Sequence, residues 1–253
     1  MKWIKDKLVS NKILSGTWLS SGSHVVAEIA GLSEFDWLLI DNEHGLGDYD
    51  SMLRQLQVLS AMLASPIVRV RSNDVGLIKQ AVDAGASGIM VPWVDNAQQA
   101  KLAVSYMCYP PKGVRGLTMA GRASDYGNDF DEYFNKANDN ILKIVQIETL
   151  EAVNNVEEIA AVDGVDVLFV GPGDLSLNLG IPGQINNPRF REAIERIVTA
   201  SKKNNKYLGI LVGDHEHLEQ SVADGFTFIA MSVDILILSK GFETTFNSFK
   251  KYL

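Results

Sequence analysis

Two carboxylates stand where neighbouring apolar, strand-like segments end. Gln146 and Glu148 lie two residues apart in KIVQIET, so a strand would point both side chains to the same side. Asp174 follows the next apolar segment, directly after a Gly-Pro-Gly turn. Carboxylates held close together raise the pKa of one of them unless a cation lies between them. The pattern predicts a site for Mg²⁺ or Mn²⁺, with Co²⁺ and Zn²⁺ as further options; an ion pair with Arg69 or a general acid–base pair would use the same residues.

His44 ends another apolar segment and is flanked by Asp41 and Glu43. Acidic neighbours can orient an imidazole and keep it basic near neutral pH, which suits a group that transfers protons. A purely structural histidine is the alternative. His215 and His217 have a spacing that could bind a metal, but exposed polar residues at the start of a helix explain them equally well.

The positions of the lysines argue against covalent catalysis. A Schiff-base enzyme needs a lysine in its active site, and no apolar segment ends in one. Lys143 and Lys206 both stand at the start of their segments. Metal-assisted enolisation is therefore the favoured way to stabilise a carbanion.

Eight apolar segments recur along the 253 residues, with longer amphipathic stretches between them: 13–20, 36–44, 65–71, 88–94, 143–149, 165–174, 206–213 and 226–234. Near-continuous apolar runs of this length are typical of strands in parallel sheets. Eight β/α units predict a TIM (β/α)8 barrel, with residues 1–253 as one domain, and place the polar segment ends together at its active-site face. A doubly wound sheet is the alternative, but the turn after the first segment lacks GxGxxG.

Residues 109–140 interrupt this repeat, since they contain no long apolar run. Loops of this length inside compact domains are often functional. Arg115 and Arg122 are cations within it. The alternative is a surface excursion with a short helix around 129–134.

The overall charge limits the partners. Lys and Arg number 23 and Asp and Glu 31, so the net charge is −8, which disfavours nucleic acid and anionic membranes. A single cysteine, Cys108, cannot form an internal disulfide and fits a reducing cytoplasm. The first residues carry no apolar signal-like stretch, and no segment approaches the roughly 20 apolar residues of a membrane span.

A series of short motifs along nearly the whole chain resembles the HpcH/HpaI aldolases, metal-dependent (class II) pyruvate aldolases with a TIM-barrel fold. In chain order the motifs are Gly-Thr-Trp at 16–18, Asp-x-Glu-His at 41–44, Val-Arg-Val at 68–70, Asp-Ala-Gly-Ala at 83–86, Tyr-Pro-Pro-x-Gly-x-Arg-Gly at 109–116, Gln-Ile-Glu-Thr at 146–149 and Gly-Pro-x-Asp-Leu-Ser at 171–176. Each fragment alone is weak, whereas their order is specific.

The resemblance implies a role for each matching residue. Glu148 and Asp174 match the metal ligands, Arg69 matches the arginine that contacts the keto oxygen, and His44 matches the histidine of proton transfer. The other matches are supporting residues: Asp41 and Asp83 beside His44, Gln146 near metal and substrate, Trp18 lining the site, and the backbone of Gly173 and Asp174 as receiver of the pyruvate carboxylate. Leu211, at the end of the seventh segment, and residues 121–140 should shape the aldehyde side.

The resulting hypothesis is a carbon–carbon lyase that reversibly cleaves a 4-hydroxy-2-oxo acid into pyruvate and an aldehyde. Oxaloacetate decarboxylation, or another reaction of a keto acid at the same site, is the second hypothesis. The third is a barrel that only binds a metabolite, although a binding protein needs no base such as His44.

The C-terminal segment indicates self-association. Phe242, Phe246 and Phe249 follow one another at helical spacing and must pack against something. They could pack on the chain's own barrel. The resemblance instead implies packing of the last helix on a neighbouring subunit, in a homo-oligomer such as a hexamer built as a trimer of dimers.

Overall fold

The computed structural model of the chain describes residues 3–9 and 12–253, and the predicted strands all lie within them. Eight strands occur in chain order: β1 Leu14–Leu19, β2 Trp37–Asp41, β3 Ser65–Arg69, β4 Gly88–Val91, β5 Leu142–Ile147, β6 Val167–Val170, β7 Tyr207–Val212 and β8 Phe228–Val233. Each pairs in parallel with the next, and β8 pairs with β1. The predicted TIM barrel is confirmed.

Every strand is shorter than its predicted segment, most clearly β2, β4 and β6. β4 ends at Val91, because Pro92 has no backbone N–H to give to the ladder. β2 ends at Asp41, so His44 lies in the loop that follows. β6 ends at Val170, and the residues after it begin a helix.

Most helices connect successive strands along the chain, while α1 precedes β1 and α12 follows β8. The helices are α1 Lys5–Leu8, α2 His24–Gly31, α3 Tyr49–Leu59, α4 Val75–Asp83, α5 Ala97–Met107, α6 Phe130–Asn140, α7 Leu150–Asn154, α8 Val156–Ala160, α9 Pro172–Asn178, α10 Pro188–Lys203, α11 His215–Asp224 and α12 Asp234–Asn247. Arg122–Gly127 and Lys250–Tyr252 form short 3₁₀ helices. Side-chain caps set several helix starts beside the strand ends; Asp74, for example, accepts the backbone N–H groups of Gly76 and Leu77.

Aromatic side chains fill the inside of the barrel. Trp37 stacks on Phe228 with ring centroids 4.0 Å apart, and Phe169 meets both edge-on. A Cβ at position 16 would lie 2.2 Å from the Trp37 ring, so the glycine in β1 makes room for the indole. Ile4, just before α1, and Leu8, at its end, join this inner cluster at the amino-terminal end of the strands. The interior is therefore a packed core, and the open end, called the mouth below, is the carboxyl end of the strands.

Residues 109–140 lie at the end of the barrel away from the mouth. Arg122 donates to the carbonyls of Leu56 and Ala84, near the ends of α3 and α4. The helix in this excursion is α6, which is longer than the predicted 129–134 and buries Tyr133 against Trp3. Within one chain, the structure contradicts the expectation that 121–140 shapes the aldehyde side, because α5 carries the chain to the opposite end first.

The last helix, α12, leaves its apolar side chains exposed. Asp234 at its start is buried, whereas the exposed large apolar residues of the segment are Ile235, Leu236, Ile237, Leu238, Phe242, Phe246 and Phe249. Packing on the chain's own barrel, one of the two options drawn from the sequence, does not occur. No helix among residues 3–9 and 12–253 combines the length and apolar character that crossing a bilayer requires.

Candidate active site

Glu148 is a buried carboxylate at the floor of the mouth. It is 1 % exposed and directly follows β5. Its Oε1 accepts the backbone N–H of Trp93 at 2.8 Å, and its Oε2 accepts Gln146 Nε2 at 2.9 Å. Burial raises the pKa of Glu148 to about 7, the Trp93 hydrogen bond opposes this, and the charges of Glu43 and Asp174 add to it.

Asp174 lies in the first turn of α9, beside Glu148. The turn between β6 and α9 passes so close that a Cβ at position 171 would lie 2.5 Å from Glu148 Oε2. The charge of Asp174 acts on Glu148, so the two carboxylates lie at the same end of the barrel, and Gln146 donates to Glu148.

These residues fit a hard divalent cation. The two carboxylates are uncompensated by lysine, and the buried Gln146 Oε1 has no hydrogen-bond partner. Among the residues the structure describes, no cluster of three or more His, Cys, Asp or Glu is arranged as a complete metal cage. Glu148 and Asp174 would therefore hold the ion with help from water or a chelating ligand, the ligand set that Mg²⁺ and Mn²⁺ accept.

The raised pKa of Glu148 gives a pH-dependent affinity for the ion. Because the pKa of Glu148 in the folded protein is about 7, its side chain is mostly neutral below that pH, and this contribution to stability is lost as the pH rises through about 7. Above that pH the carboxylate is ionised and can bind a cation. We expect affinity for Mg²⁺ to rise by up to about tenfold per pH unit below 7 and to level off above it. Calorimetric titrations from pH 5.5 to 8.5 measure this, and a flat affinity across that range would contradict it.

Arg69 is buried and paired with acids other than those expected. It is 4 % exposed; Nε and Nη2 donate to Asp41 at 2.8 Å each, and Nη1 lies 2.7 Å from Glu43 Oε2. Its guanidinium also lies 4.2 Å from the centre of the Trp18 ring. The alternative pairing of Arg69 with Glu148 or Asp174 is absent, because Asp41 at the end of β2 and Glu43 in the loop after it are nearer. The bidentate contact holds the guanidinium rigidly at the mouth.

His44 is exposed at the mouth, and the acid nearest its ring is Glu43. Its side chain is 66 % exposed, with Nε2 4.0 Å from Glu43 Oε1. Asp41 accepts the backbone N–H groups of Glu43 and His44 instead of the imidazole. The expected support of the His44 ring by Asp41 is therefore corrected: Asp41 orients the loop and Arg69.

Glu43 was predicted only as an acidic neighbour of His44, and the family resemblance gave it no role of its own. Burial raises its pKa, while Arg69 and His44 lower it. Its position between Asp41 and His44 in the sequence was the available signal, but sequence position does not tell which way the Glu43 side chain points.

Asp83 lies far from His44 within one chain. Asp83 is the last residue of α4. Four residues later, the backbone N–H of Ser87 donates to the carbonyl of Pro66 at the start of β3, which places the end of α4 near the amino-terminal end of the strands. Its Oδ1 accepts Arg115 Nη2 at 2.6 Å. The structure therefore contradicts a contact between Asp83 and His44 in the same chain, because the end of α4 lies at the closed end of the barrel.

The lysines occupy the positions expected of them. Lys143 is buried, and its Nζ donates to the carbonyls of Asn138 and Ile141 at the start of β5. Lys206 donates to two carbonyls in the same way before β7. None of the eight described strands is followed at once by a lysine. His215 and His217 contact the acids Glu219 and Asp214 on α11 and its cap.

Trp18, Leu211 and Gly173 are the remaining predicted substrate-binding residues. Trp18 is buried against Arg69, and its indole N–H has no partner. Leu211 packs on the inner cluster, and with Gly173 it lines a cleft of about 230 Å³ that extends between α10 and α11. The backbone of Gly173 lies in the first turn of α9, where N–H groups have no acceptor within the helix and can receive an anion.

The sequence and the barrel agree with a known family. The family model of the HpcH/HpaI aldolases and citrate lyases matches residues 14–240. The chain belongs to the HpcH/HpaI aldolase/citrate lyase family. A member of known structure, from Burkholderia cenocepacia J2315, superposes with a TM-score of 0.91 at 35 % identity over 95 % of each chain. The resemblance stated from the motifs is confirmed, and the chain is an enzyme of the aldolase and lyase type.

Two curated relatives are more than a third identical to this chain over the aligned residues. A 2-dehydro-3,6-dideoxy-6-sulfogluconate aldolase from Pseudomonas putida is 43 % identical over 90 % of this chain and 89 % of its own. A 5-keto-4-deoxy-D-glucarate aldolase from Enterobacter sp. (strain 638) is 36 % identical over 98 % and 96 %. The two names give different substrates, so membership sets the type of reaction and not the compound.

Proposed function

We propose that the protein catalyses the reversible, divalent-cation-dependent cleavage of a 4-hydroxy-2-oxo acid into pyruvate and an aldehyde. The observation that carries this proposal is the meeting of Glu148 and Asp174 at the mouth with Arg69 and His44, and with no lysine at a strand end. A cation bound by the two carboxylates would supply Lewis-acid polarisation of the keto acid.

The protein's own residues would stabilise charge, transfer a proton and bind the carboxylate. In cleavage, the bond between C3 and C4 breaks and its electron pair moves toward the keto oxygen. Arg69 uses three of its five N–H groups on Asp41 and Glu43, which leaves two for developing negative charge. The exposed His44 accepts the proton of the 4-hydroxyl, and solvent returns a proton to C3. The first-turn amides of α9 receive the carboxylate.

The test begins with pyruvate alone. In D₂O the methyl protons of pyruvate should exchange when Mg²⁺ or Mn²⁺ is present and stop exchanging when a chelator removes the ion. Pyruvate with a panel of sugar-derived and aromatic aldehydes then tests carbon–carbon bond formation. Absence of exchange would indicate a barrel that only binds, and turnover of oxaloacetate with no aldehyde accepted would indicate a different lyase.

We further propose that α12 packs on a second copy of the chain in a homo-oligomer. Its exposed phenylalanines have no site on their own barrel, while α2 exposes Val25, Ile29 and Leu32 at spacings of four and three. In a TIM barrel the helix after the eighth strand packs beside the helix after the first strand, which here are α12 and α2. The exposed apolar residues of α2 therefore mark a position where a helix is missing. A second copy offers the complementary helix, and the exchange buries both stripes.

Charging either stripe should break this assembly. Phe242→Glu with Phe246→Glu, and separately Ile29→Glu, should each give smaller species in multi-angle light scattering, because a buried unpaired carboxylate is costly. Leu63→Glu is the matched control, since Leu63 is 79 % exposed but lies outside both stripes. A monomeric unmodified protein would contradict the proposal.

A further inference from the structure

Trp93 has a backbone conformation that its residue type does not favour. It directly follows Pro92 at the end of β4, and its φ is 53°, in the left-handed region. A Cβ crowds the neighbouring carbonyl there, so backbone preference alone would place glycine or asparagine at this position. Strain of this kind persists where the surroundings hold it, commonly at functional sites.

Packing does not explain the tryptophan either. Its side chain is 46 % exposed, whereas Trp18 and Trp37 are 5 % and 0 % exposed. An indole is the largest apolar side chain, and leaving almost half of it in water forgoes much of its contribution to folding. Neither the fold nor the backbone therefore accounts for this residue type.

The strained turn fixes Trp93 beside the catalytic floor. Its N–H donates to Glu148 Oε1 at 2.8 Å, and the next residue, Val94, donates to the carbonyl of Gln146 at 3.4 Å. Asp95 then accepts the Thr149 hydroxyl, which pins the turn to the residue after Glu148. The backbone of the turn thus lies against the carboxyl end of β5, and the indole is exposed to solvent beside it.

We propose that Trp93 determines which aldehyde the enzyme accepts, by giving the mouth an apolar wall that favours aldehydes with a hydrocarbon chain. The inference rests on the proposed retro-aldol function. The keto acid needs oxygen-binding groups, which lie on the floor at Glu148 and Asp174. The aldehyde must approach from the solvent side, where the exposed indole offers apolar surface next to that floor.

The test compares the condensation of pyruvate with pentanal and with acetaldehyde, measured as the ratio of the two kcat/KM values. In Trp93→Ala the preference for pentanal should fall by about tenfold, and Trp93→Phe should retain most of it. Tyr126→Ala is the matched control, because Tyr126 is also an exposed aromatic with a φ of 56°, at the closed end of the barrel. Its ratio should equal that of the unmodified protein.

A second measurement addresses the backbone without using activity. Trp93→Gly should melt about 2–4 °C above Trp93→Ala, because glycine adopts this φ without strain. An unchanged pentanal preference in Trp93→Ala, with pyruvate exchange intact in the unmodified enzyme, would overturn the role of Trp93 alone. Smaller assemblies of Trp93→Ala in light scattering would also overturn it, since the indole would then be a subunit contact. Absence of exchange in the unmodified enzyme would instead overturn the proposed function.

Discussion

Replacing Glu148 with alanine is expected to abolish metal-dependent catalysis while the barrel still folds. The same result is expected for Asp174→Ala, because a site with two protein ligands cannot lose one and keep its ion. Loss of a ligand should weaken metal binding by at least the roughly 10–100-fold seen when residues that merely orient ligands are removed. Calorimetric metal titration together with pyruvate exchange measures both effects.

Glu148→Gln and Glu151→Ala complete this experiment. The glutamine keeps an oxygen that can accept the Trp93 N–H but removes the charge, so it should fold and bind no ion. Glu151, in the first turn of α7, is an exposed carboxylate three residues along the chain and should be dispensable. Unchanged metal affinity in both Glu148→Ala and Asp174→Ala would move the ligands elsewhere, with His215 and His217 the first to examine.

Replacing Arg69 with alanine is expected to lower kcat by roughly 10²–10³, the effect of losing a charged hydrogen bond to a developing oxyanion, about 3–4 kcal/mol. The structure adds a second effect. Asp41 and Glu43 would lose their buried partner, and breaking a buried ion pair costs about 3–5 kcal/mol of stability. Kinetics and thermal unfolding must therefore be measured on the same variants.

Arg69→Lys separates the two effects. Lysine keeps the charge for Asp41 and Glu43 but lacks the planar fork, so stability should recover more than kcat. Arg54→Ala is the matched control, because Arg54 pairs with Asp50 on the surface. A variant of Arg69 that folds poorly yet keeps its kcat would make Arg69 a structural partner only.

Much of the fold could be predicted because its signals are local. A strand buried on both faces must be apolar along its length, and its polar end must come at the mouth. This reasoning located Glu148 and Asp174 on neighbouring strand ends. It also explains why Lys143 could be excluded, since the start of a strand lies at the closed end.

The contacts of the site residues could not be predicted, because they depend on the direction of side chains and helices after the strands end. Asp41 and Glu43 both lie close to His44 in the sequence, but Asp41 accepts backbone N–H groups of the loop, and Glu43 is the acid that faces the imidazole ring. Asp83 follows a helix that returns to the closed end, which a motif match does not reveal. The left-handed turn at Trp93 has no sequence signal, because a bulky residue argues against it.

The packed interior has a consequence for the order of events. Ile4 and Leu8 close the barrel below the aromatic core, so reactants enter and leave at one end. The compound that binds at Glu148 and Asp174 is covered by whatever enters next. If the keto acid binds there, pyruvate must arrive before the aldehyde during synthesis and depart after it during cleavage. A filled core would then impose a fixed order of binding and release.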